Sequence, residues 1–174
     1  MTPSSSTGGT AGRIAGRVWR FGDDIDTDQI IPSQYLVLGS IADMSRHCME
    51  TQRPDFAAAV HPGDILVAGR NFGCGSSREQ APMVLKQLGI AAVVAQSFAR
   101  IFFRNAINTG LMPIVLPDTG AITEGLVLTI DAAGGTLGGA DDGIGHRFTP
   151  LDEYPQRILN AGGLINFLRE EGQA

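Results

Sequence analysis

The chain has 174 residues, of which 43% are hydrophobic and 18% charged, and its formal net charge is −5 with a pI near 5.0. That length and apolar content can bury one sizeable core, so a single domain over residues 13–174 is expected. No basic patch stands out, which argues against a nucleic-acid partner, and no apolar run approaches the ~18 residues of a membrane span.

Residues 1–12 are rich in Ser, Thr and Gly and lack an apolar stretch, so they read as a disordered lead-in rather than a secretory signal. Ile14 to Phe21 alternates apolar and polar residues as a strand does. Gly22 to Asp28 reads as a turn dense in carboxylates. Tyr35 to Ser40 reads as a short apolar loop or strand, and residues 41–60 as helical in parts, broken at Pro54. Ile65 to Ala68 is a fully apolar run suited to a buried strand. A glycine-rich loop, 69–75, follows it. A helix is predicted from about Ser77 to Leu88, stopping at Gly89. Ile90 to Ala95 is a second buried strand. Ser97 is a candidate cap for a helix ending near Gly110, and Met112 to Leu116 is a third strand. The alternation predicts an α/β domain with helices on a partly parallel sheet. Beyond it, Leu126 to Asp131 reads as a strand, 132–145 as a long turn, 147–150 as a short returning strand and 152–161 as a helix.

The segment Gly73-Cys74-Gly75-Ser76-Ser77-Arg78-Glu79 carries most of the chemistry. It lies between a predicted strand and a predicted helix, where α/β folds commonly bind ligands. Gly73 and Gly75 permit positive φ and a close backbone approach. Ser76 and Glu79 have capping-box spacing, which would offer helix N–H groups to an anion. Arg78 adds a guanidinium fork that fits a carboxylate. Together they suggest a site for a small polycarboxylate. No Gly-Lys-Ser/Thr follows, and Arg78 stands where a dinucleotide fingerprint needs its third glycine, so neither nucleotide motif applies. Pro82 falls inside the predicted helix; either the first turn is separate or the helix kinks.

The remaining polar groups have plainer readings. Asp23 and Asp24 lack EF-hand spacing and read as a solvated turn, and no metal site is expected. The two cysteines, Cys48 and Cys74, form no CxxC pair and no Cys/His cluster. They read as free thiols of a cytoplasmic protein, with Cys74 as a small residue filling a tight loop rather than a nucleophile. Arg100 and Arg104, four apart, read as structural, with salt bridging or a partner surface as the other options. Phe98, Phe102 and Phe103 read as core or interface.

The loop at 73–79 resembles the signature of the aconitase swivelling domain, and so does Gln96-Ser97-Phe98-Ala99-Arg100-Ile101-Phe102 about twenty residues on. Asp26-Thr27-Asp28-Gln29-Ile30-Ile31-Pro32 and the stretch 105–113 are similar to two further motifs of that superfamily. The resemblance covers roughly residues 13–169, in order. It implies a swivel-type β/β/α domain and the separate small subunit of a two-subunit hydro-lyase of the isopropylmalate-isomerising branch, working by dehydration and rehydration in leucine biosynthesis. It further implies Ser76 as the base and Ser77 and Arg78 as substrate-carboxylate ligands. Asp26, Thr27, Asp28, Gly73, Gly75 and Glu79 would support the site.

The same resemblance implies no cofactor in this chain. A [4Fe-4S] cluster, acting as Lewis acid on the leaving hydroxyl, would come from a large subunit in a heterodimer or heterotetramer. After the 26–32 stretch, homoaconitase-like relatives tend to carry arginine where this chain has Val37. Val37 and Leu38 are therefore expected to line a pocket for the substrate's alkyl group. The alternatives are a related hydro-lyase of the dimethylmalate, citraconate or homoaconitate type, or a carboxylate-binding module without catalysis.

Overall fold

A computed structural model describes residues 12–139 and 145–173. The expected lead-in therefore lies, but for Gly12, outside the described residues. The alternating segment near the start forms β1, Arg13–Arg20. The three apolar runs form β2, Ile65–Ala68, β3, Ala92–Ala95, and β4, Met112–Val115. These pair in parallel in the order β4-β3-β2-β1. On the other edge of β1 lies β5, Val127–Asp131, antiparallel to it. Two more antiparallel strands continue outward, β6, Thr136–Gly139, and β7, Gly145–Arg147. The result is one mixed seven-stranded sheet, in the α/β class the alternation predicts.

The period of two sorts the buried strands onto two faces. Leu66, Ala68, Val93 and Ala95 face a cluster with Trp19, Phe56, Phe72, Leu85 and Phe102. Ile65, Val67, Ala92 and Val94 face the other way and meet Leu128, Ile130 and Leu137 of β5 and β6. The antiparallel half thus curls over one face of the parallel half. The other face carries α4, Gln80–Gln87, and part of α5, Arg100–Thr109. Shorter helices α1, Thr27–Ile30, α2, Ile41–Ser45, and α3, Phe56–Ala59, complete that side. The C-terminal pair α6, Glu153–Asn160, and α7, Leu164–Glu171, packs on α5 through Ile107, Ile158 and Phe167. No helix among the described residues is long and apolar enough to cross a membrane.

Several sequence expectations need correction. Residues 27–30 are a helix, because Asp26 caps it and Gln29 returns the bond. Of the two readings of residues 35–40, loop or strand, the strand is absent, since residues 33–37 form a 3-10 turn. The long turn at 132–145 contains β6, and the returning strand occupies 145–147 rather than 147–150. Ser97 does not cap α5. Its hydroxyl accepts from the N–H of Asn71 at 2.8 Å, and Ala99 holds the cap position.

Candidate active site

The glycine-rich loop leaves β2 and is stitched to two neighbours. Toward the N-terminal segment, the Gly73 N–H donates to Ile25 O at 2.7 Å and the Thr27 N–H to Cys74 O at 2.9 Å. Toward the segment before α5, the Phe72 N–H donates to Ser97 O at 3.0 Å and the Ala99 N–H to Phe72 O at 2.9 Å. Three of the sequence motifs thus meet across two single bridges, Asp26 with Cys74 and Phe72 with Phe98. Gly73 has φ +79, and a Cβ there would lie 2.1 Å from Cγ of Phe102. Its lack of a side chain therefore lets α5 pack under the loop. Gly75, at φ +95, lies beside α1, where a Cβ would stand an ordinary 3.5 Å from Thr27 Oγ1; its left-handed backbone is what calls for glycine.

Ser76 is exposed, and its Oγ lies 3.2 Å from Oγ1 of the buried Thr27. Ser76 is not a helix cap. α4 begins four residues later, and Glu79, at its cap position, makes no side-chain capping bond. The late start also resolves the Pro82 conflict. Pro82 is the third residue of α4, where a backbone N–H has no partner within the helix. Ser77 is exposed, with its carbonyl 3.5 Å from Asn105 Nδ2.

Arg78 is held firmly. Its Nη1 donates to Ile31 O at 2.7 Å and to Asp28 Oδ1 at 3.1 Å, with Thr27 O at 3.4 Å. The guanidinium therefore caps the C-terminal carbonyls of α1 and fixes that helix against the loop. The Arg78 hydrogen bond, then the Ser33 N–H, hold the Asp28 carboxyl below the usual carboxylate range. Asp23 is likewise lowered by Arg70, first through the Arg70 N–H and then through its side chain, while Asp24 accepts from Asn71. The carboxylates of the turn are thus struts between residues 22–28 and the loop.

The two apolar specificity candidates part company. Val37 is 87% exposed, whereas Leu38 leans on the main core with Tyr35 and Leu36. Tyr35 stacks on His47 with ring centroids 3.7 Å apart, and His47 Nδ1 lies 2.9 Å from Glu50 Oε2, which ties the 33–37 turn to the residues after α2.

A cavity of about 390 Å³ opens beside the serine, lined by Gly73, Gly75, Ser76, Ala99, Arg100, Ile101 and Arg104. The sequence reading of Arg100 and Arg104 as structural is not what their surroundings suggest. Both are exposed and face the cavity of Ser76. The signal available was their spacing of four, directly after a motif that bridges to the loop.

Among the described residues no group of three or more His, Cys, Asp or Glu stands close enough to hold a metal. Cys48 is buried, and burial pushes its thiol well up. Burial, then the charges of Asp26 and Asp24, raise the thiol of Cys74. These residues do not fit an iron–sulfur cluster, which takes three or four thiolates.

Residues 22–119 match the family model described as the aconitase C-terminal domain. The chain is 51% identical over 157 residues to a 3-isopropylmalate dehydratase small subunit of Nautilia profundicola, covering 90% of this chain and 95% of the relative. It is 52% identical over 155 residues to a methanogen homoaconitase small subunit of Methanothermobacter thermautotrophicus, covering 89% and 90%. The crystal structure of a 3-isopropylmalate dehydratase of Methanocaldococcus jannaschii superposes with a TM-score of 0.89 at 43% identity, covering 92% of this chain and 96% of that one.

Proposed function

The chain belongs to the aconitase C-terminal domain family, and on that premise we propose that it is the small subunit of a hydro-lyase interconverting 2-isopropylmalate and 3-isopropylmalate. Its similarity to several small subunits of that name supports this reading. The observation that carries it is the open Ser76 hydroxyl, hydrogen-bonded to Thr27 at the edge of a cavity with no carboxylate in its lining. Ser76 is the base. Its ionised oxygen takes a proton from the carbon next to the carbinol carbon. The C–H electrons form the double bond, and the hydroxyl leaves as hydroxide with the C–O electron pair, so the elements of water are lost with the proton held on Ser76. Rehydration returns the proton and the hydroxyl with their positions exchanged.

A serine hydroxyl is a poor base in water, so its ionised form needs donors and positive charge nearby. Thr27 supplies one donor at 3.2 Å. Ser77 and Arg78 are proposed to meet the substrate carboxylate. Arg78 has three contacts through Nη1, and its other N–H donors make no hydrogen bond among the described residues. Val37 is proposed to meet the alkyl group, with Leu38 behind it. Since the residues here do not fit a [4Fe-4S] cluster, the large subunit would hold that group, which would act as Lewis acid on the leaving hydroxyl.

The 52% identical homoaconitase relative favours a second reading. An additional carboxylate on that substrate would need a cation near residue 37, and this chain offers Val37 there. One experiment addresses both readings. The protein and its Ser76→Ala variant are each mixed with a cluster-loaded large subunit and assayed on isopropylmalate and on homocitrate. Loss of turnover in Ser76→Ala with unchanged assembly is expected. Unchanged turnover removes Ser76 as base, and preference for homocitrate removes the alkyl assignment.

A further inference from the structure

The cavity beside Ser76 is lined by two guanidinium groups. Arg100 and Arg104 sit one turn apart on α5 and both line it. Among the described residues neither makes an ion pair or a side-chain hydrogen bond. By contrast Arg46, Arg53, Arg70, Arg78 and Arg157 each meet a carboxylate. No acidic residue lines the cavity, and its other walls are glycine, alanine, isoleucine and the serine itself. Ile101, next to Arg100 in sequence, is 54% exposed, so this end of α5 is left uncovered by the described residues.

Two like charges at this spacing repel one another and are costly to leave uncompensated. Guanidinium forks suit planar carboxylates, which they grip through paired N–H donors. The volume of about 390 Å³ is that of a small-molecule site rather than a protein groove. A dicarboxylate also carries two charges to neutralise, and Arg78 has one of its two terminal nitrogens committed to α1.

We propose that Arg100 and Arg104 bind one carboxylate of the hydroxydicarboxylate substrate in the cavity beside Ser76. This deepens the functional reading above and rests on it. The pair does two things at once. It orients the substrate so that the carbon bearing the proton faces the serine oxygen, and its charge makes the ionised serine less costly. It also explains why the motif around Ser97 to Phe102 bridges to the loop. The bridge sets the start of α5, and with it both guanidinium groups, relative to Ser76.

The test uses the assembled enzyme, with Arg100→Gln, Arg104→Gln and Arg104→Lys in the small subunit. Steady-state kinetics are measured on the turned-over dicarboxylate and on its two monoamides, with subunit affinity measured in parallel. Each Gln variant is expected to raise KM by about 10- to 100-fold, the usual cost of a lost charged hydrogen bond. Subunit affinity should stay the same, and Arg104→Lys should recover part of the loss. In the parent one monoamide should be a much poorer substrate than the diacid. In Arg104→Gln that penalty should collapse, because the removed carboxylate no longer has its partner. Unchanged KM, or weaker assembly with unchanged monoamide discrimination, overturns the proposal; the second outcome would make the pair a docking point for an acidic residue of the large subunit. These results are distinct from failure of the functional reading, in which the parent assembly turns over neither substrate or Ser76→Ala stays fully active.

Discussion

Replacing Gly73 with alanine tests whether the loop is shaped by its packing on α5. The new Cβ would lie 2.1 Å from Cγ and 2.4 Å from Cβ of Phe102, which is fully buried below it. Overpacking of this kind costs roughly 1–3 kcal/mol, and a non-glycine residue held at φ +79 adds about 1–2 kcal/mol. The expected loss is therefore about 2–5 kcal/mol, or roughly 5–20 °C in melting temperature for a chain of this size. Urea denaturation followed by far-UV circular dichroism measures it. Phe102→Ala alone should cost about 3–5 kcal/mol, since it opens a cavity in the core. The double variant is the decisive comparison. With the ring gone, the alanine at 73 keeps its backbone strain and its close approach to Cβ of residue 102 but loses the two overlaps with the ring, at Cγ and Cδ2. The two losses should fall short of their sum by about 1 kcal/mol or more. Strict additivity, or a Gly73→Ala variant within about 0.5 kcal/mol of the parent, would refute the argument that Phe102 dictates glycine here.

Thr27→Val removes the hydrogen bond to Ser76, and is expected to lower kcat about tenfold or more with little change in KM; assays of the assembled enzyme check this. Asp28→Asn tests the strut to Arg78. Because Asp28 is held below its ordinary value, its contribution to stability is present above the unfolded value of 3.8 and is lost as pH falls through the lower folded value. The parent should be the more stable protein at neutral pH, and the difference should vanish in strong acid, as denaturation at a series of pH values would reveal. Thiol counting with a disulfide reagent should find Cys48 unreactive until the chain unfolds, because it is sealed in the core. Cys74 should react slowly and faster as pH rises, since burial and the neighbouring aspartates favour its thiol form.

The parallel half of the fold was legible because its strands are buried on both faces. Ile65-Leu66-Val67-Ala68 and Ala92-Val93-Val94-Ala95 leave no polar position to place outward. Two of the errors share a cause, namely polar side chains whose partners lie far away in sequence. Ser76 and Glu79 have capping-box spacing, yet the serine hydroxyl pairs with Thr27, and the helix waits until Gln80. The capping box that does form, Asp26 with Gln29, was hidden in a stretch that reads as a turn because of its carboxylates. Ser97 looks like a cap and instead receives the N–H of Asn71. β6 was missed because Thr136-Leu137-Gly138-Gly139 has strand pairing without strand composition. For the site, the 26–28 segment lies beside the loop through the bridge of Asp26 with Cys74. The orientation of Arg100 and Arg104 depends on how α5 seats under Gly73, and spacing alone does not give that.

The position of β1 has a consequence for how the chain reaches this structure. β1 pairs on one side with β2, through Val18 and Ile65, and on the other with β5, through Arg13 and Asp131. β1 therefore waits for a partner encoded far downstream of it. Until that partner arrives, one edge of β1 is an unpaired row of N–H and C=O groups beside apolar surface. Such long-range pairing slows folding and leaves intermediates open to association. The parallel core from β2 to β4 is expected to form first, with closure of the sheet on β5 as the late, slow event.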